Sequence, residues 1–108
     1  MGILDRIAGT LEELTGEGRA ALADEIARAR AQAAGGDRSG AEAKLVELTH
    51  KAPAAAPGHL ALGELRLERG ALEAAVESLG RAVDLESGNP AAWCALGEAL
   101  AGLGRIDP

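Results

Sequence analysis

His59-Leu60-Ala61-Leu62-Gly63-Glu64-Leu65 is answered, 34 residues on, by Trp93-Cys94-Ala95-Leu96-Gly97-Glu98-Ala99 (59 to 93). The same spacing relates Gly36, Gly70 and Gly104, and the pairs Ala41/Ala75 and Leu45/Leu79. The segment from Gly58 to Pro108 is therefore one pattern written twice, with a weaker copy before it. Self-similarity at about this period is the signature of helical hairpins stacked in an array, where each unit buries its apolar face only against its neighbours. Such arrays make binding surfaces more often than active sites.

Working outward, a chain of 108 residues is one domain by length and buries roughly 60–68% of its unfolded surface. Hydrophobic content is 47% with 1% aromatic, so the core is built from Ala and Leu with some Val and Ile. Ala and Leu head the helix-propensity ranking. No run of alternating β-branched residues marks a strand, and the expected fold class is all-α, a short array of helical hairpins. A formal charge of −6 argues against a nucleic-acid partner, because phosphate binding needs clustered Lys and Arg. Cys94 stands alone, which forbids an intrachain disulfide and suits a reducing cytoplasm. Asp5 and Arg6 interrupt any apolar leader, and no stretch reaches the roughly 18 apolar residues of a membrane span.

In chain order, Ile3, Ile7, Leu11 and Leu14 form an apolar stripe at helical spacing. Residues 1–16 are expected to be an amphipathic helix outside the repeats, capping the array, binding a partner or joining chains. Asp5, Arg6, Glu12 and Glu13 (three carboxylates against one guanidinium) leave it acidic, which disfavours anionic lipid. Thr15-Gly16-Glu17-Gly18 is expected to break that helix, and residues 19–108 to form the repeat domain. A helix from Arg19 to Ala34 would turn Leu22, Ile26, Ala29 and Ala33 inward and end at Gly35-Gly36. Ser39 and Glu42 have the spacing of a capping box opening the next helix, with Ala41, Leu45 and Leu48 inward. The stretch from Ala52 to Pro57 aligns with Glu86 to Ala91, so it is expected to be a turn between repeats, not an interdomain linker. Pro57 and Pro90 suit a first helical turn, and Asn89 an N-cap. Three further helices follow: Pro57 to Arg69 with Leu62 and Leu65 inward, one bearing Leu72, Val76, Leu79 and Val83, and Pro90 to Leu103. The last is expected to turn Trp93, Leu96, Leu100 and Leu103 inward. Gly63 and Gly97 are expected where helices cross closely.

Trp93-x-x-Leu96-Gly97-x-x-Leu100 resembles the first-helix signature of the tetratricopeptide repeat family, with Leu100 where Tyr is usual. Ala75-x-x-x-Leu79 and Ala41-x-x-x-Leu45 resemble its second-helix signature, and Pro53 stands at the repeat-ending proline. Glu25 and Arg28 depart from it, sitting where large apolar residues are usual, and Ser87 replaces the second repeat's proline. The resemblance implies about two hairpins plus one further helix, with the first helices lining a concave groove. On that implication the groove residues are Arg30, Leu60, Glu64, Leu67, Glu68, Cys94 and Glu98, apolar with acidic points and suited to a basic or amphipathic peptide. Ala61, Glu64 and Ala95 stand where some family members carry a carboxylate clamp of Lys and Asn, which argues against capture of a partner's C-terminus.

Catalytic, cofactor-binding and metal-binding residues are not expected. His50 and His59 have no paired carboxylate at ligand spacing. Cys94 has no His or Lys at helical spacing to activate it, and none of the glycines forms a phosphate loop. The reading is a non-catalytic interaction or scaffolding module for a protein or peptide partner. Two alternatives stand beside it. The chain can be the N-terminal repeat portion of a larger enzyme or multidomain protein. It can also be a self-assembling structural repeat, joined through Trp93, Leu96, Leu100 and Leu103 or through Ile3, Ile7, Leu11 and Leu14.

Overall fold

The turns inside the hairpins rest on the glycine series. In a computed structural model describing residues 16–104, Gly36, Gly70 and Gly104 have φ of 109°, 78° and 70° and are the described residues with positive φ. Five helices are described: α1 Gly16–Ala34, α2 Arg38–Lys51, α3 Ala56–Glu68, α4 Leu72–Leu85 and α5 Pro90–Gly102. At the end of α1, Asp37 N–H donates to Gln32 O (3.1 Å) and Gly36 N–H to Ala33 O (3.0 Å). At the end of α3, Ala71 N–H donates to Arg66 O (2.9 Å) and Gly70 N–H to Leu67 O (3.1 Å). A left-handed residue lets the chain fold back to satisfy orphan carbonyls, and only glycine adopts it without a Cβ penalty. The 34-residue period is thus a period of helix stops.

The described residues fall into two compact units, dividing between Ala55 and Ala56. In the first, α1 packs on α2, with Ile26 and Ala29 buried on one helix and Ala41, Leu45, Leu48 and Thr49 on the other. Thr49 is satisfied by donating from Oγ1 to Val46 O (2.8 Å). Two expectations are corrected here. Gly16, Glu17 and Gly18 do not break the chain but form the first turn of α1. The cap of α2 is Asp37, not Ser39: its carboxylate accepts from the Gly40 N–H (2.9 Å), and Ser39 lies inside the helix. The glycine stop leaves so short a connection that the next helix begins at Arg38, two residues before a Ser39 cap would allow.

In the second unit α4 packs against both α3 and α5, and α3 touches α5. Ala75, Leu79, Ala95 and Ala99 form one buried cluster and Ala82, Val83 and Ala92 another; half-buried Leu60 and Leu96 pack against both. Leu62 and Leu65 are buried on α3 as expected. On α5 the expectation is corrected. The buried stripe is Ala92, Ala95 and Ala99, while Leu96, Leu100 and Leu103 are half-buried and Trp93 is 51% exposed. Pro90 opens α5, and the Asn89 side chain accepts from the Ala91 N–H (3.0 Å). The segment containing Ile3, Ile7, Leu11 and Leu14 lies outside the described residues.

Candidate partner-binding surface

Helical spacing puts Leu60, Glu64, Leu67 and Glu68 on one face of α3, and Cys94 and Glu98 on one face of α5. Leu60, Glu64 and Leu67 are half-buried; Glu68, Cys94 and Glu98 are exposed. Leu60 and Leu67 pack against the cluster that contains Ala95 and Ala99, so much of each leucine is already used in joining α3 to α5. What remains toward solvent is a narrow apolar seam beside carboxylates. Arg30 is exposed on α1, in the other unit. His59 is half-buried and His50 exposed.

The two glycines differ. A Cβ on Gly63 would lie 2.5 Å from Leu79 Cγ and 3.2 Å from the Leu79 backbone nitrogen, so α3 and α4 cross there at a distance only glycine permits. A Cβ on Gly97 would meet nothing within 4 Å, which corrects the expectation of a second close crossing. Sequence reasoning missed the second close approach between helices: a Cβ on Gly102 would meet Leu72 Cδ1 at 2.7 Å. No repeat partner of Gly102 flagged it, since Glu68 holds the equivalent position.

Polar groups between α3 and α4 are also arranged. Arg66 Nη1 donates to the buried Ser78 Oγ (2.8 Å), joining the helices three residues from the Gly63–Leu79 crossing. The Trp93 indole N–H donates to Ser87 O (2.7 Å), pinning an otherwise exposed ring. In the first unit, Glu25, Arg28 and Gln32 with Lys44, Glu47 and Lys51 line an open trough of about 710 Å³. Lys44 there reaches Glu25 (3.5 Å) and Glu47 (3.8 Å), and Lys51 reaches Glu47 (3.9 Å). Open, self-paired charges of this kind form a solvated face and lack the apolar enclosure of a small-molecule site. Glu25 and Arg28 were the signal: the sequence puts charge where the other first helices carry His59 and Leu62, or Trp93 and Leu96.

The Gln32 amide (Nε2 to Oδ2, 2.7 Å) and then the Gly40 N–H hold the Asp37 carboxyl below the usual 3.8. This is a helix cap. Among the described residues no three His, Cys, Asp or Glu side chains converge on a metal-sized site. No described helix is long and apolar enough to cross a membrane.

The family model of the TPR (tetratricopeptide) repeat matches residues 63–104, from the α3–α4 crossing to the glycine that ends α5. Residues 63–104 carry the tetratricopeptide repeat pattern. No curated protein and no solved structure matches the chain significantly. The match agrees with the all-α array of hairpins, and TPR repeats generally serve as protein–protein interaction modules.

Proposed function

We propose that this TPR protein is a non-catalytic interaction module of the cytoplasm that binds a basic or amphipathic protein segment along the joined faces of α3 and α5. The observation that supports this reading is the packing of half-buried Leu60 and Leu67 against a cluster that includes Ala95 and Ala99 of α5, with Glu64 and Glu68 at helical spacing from these leucines and with Cys94 and Glu98 exposed on α5. A partner with an apolar stripe would bury the seam, and Lys or Arg on its flanks would meet the carboxylates. Electrostatic complementarity of this kind sets choice of partner and rate of encounter more than raw affinity.

The test is a panel of amphipathic helical peptides with one apolar face and either Lys/Arg or Glu on the polar face. Basic members should bind, more weakly as salt rises. The double variant Glu68→Lys/Glu98→Lys should bind them about tenfold less well. Its melting should barely change, because exposed substitutions shift stability by only about 0.5 kcal/mol. Equal binding of acidic and basic peptides, or indifference to the double reversal, would place the binding surface elsewhere.

A further inference from the structure

We draw no further inference here: the strongest candidate, the open trough between α1 and α2, is lined by Lys and Glu side chains that pair with one another, and nothing in the structure shows what covers it.

Discussion

Asp37 shows how one residue converts sequence into a helix start. Both Asp37 and Ser39 are good capping types, and the spacing of Ser39 to Glu42 favours the serine. The choice is made by the preceding stop, since Gly36 turns the chain so sharply that only one residue is left before α2. Neither side chain alone reveals this. The carboxyl of Asp37 is depressed by Gln32 and Gly40, so folding favours its ionised form. Its stabilising contribution is therefore complete above the usual 3.8 and is lost as pH falls through the lower folded value. Asp37→Ala should melt below the parent at pH 7, and the gap between the two melting temperatures should narrow as pH falls below 3.8; a constant difference would contradict the cap. Trp93, at 51% exposure, should emit as a solvated indole and be quenched by added iodide or acrylamide. A blue-shifted, protected emission in a monomer would contradict its placement.

At the scale of the element, α5 explains what periodicity alone leaves open. Two stripes one residue apart both satisfy helical spacing: Ala92, Ala95 and Ala99, or Trp93, Leu96, Leu100 and Leu103. A hydrophobicity scale favours the larger residues. The structure favours the alanines, because α4 already brings Leu79 and Val83 to the contact and only small residues fit opposite them. Of the larger stripe, Leu96 packs against both buried clusters while itself only half-buried. In α3 and α4 the conflict is milder: Leu62, Leu65, Ala75, Leu79, Ala82 and Val83 are buried as expected, while Leu72 and Val76 are only half-buried and Ser78 is buried instead. Ala99 is fully buried, so Ala99→Leu should overpack the α4–α5 contact and cost about 1–3 kcal/mol. The same change at exposed Ala101 should be nearly silent. Equal effects in denaturant melts would mean that α5 is turned about its axis.

For the molecule as a whole, the 34-residue register was legible because Gly36, Gly70 and Gly104 follow helix ends at that spacing. That constraint repeats with the period, so it survives even where Glu25 and Arg28 blur the first copy. What stays illegible is whatever depends on a contact the period does not specify. The joined face of α3 and α5 followed from family resemblance, and the half-burial of Leu60 and Leu67 in that joint followed only from the structure. Gly97 was read by analogy with Gly63, but a close crossing needs a second helix, and none described lies over it. The most direct test of the register is a parallel denaturant melt of Gly63→Ala and Gly97→Ala. Gly63→Ala should lose about 1–3 kcal/mol by driving a methyl group into Leu79. Gly97→Ala should be neutral or gain about 0.5–1 kcal/mol, since alanine favours a helix interior and meets no neighbour there. Equal losses at the two positions, or a greater loss at Gly97, would contradict the register.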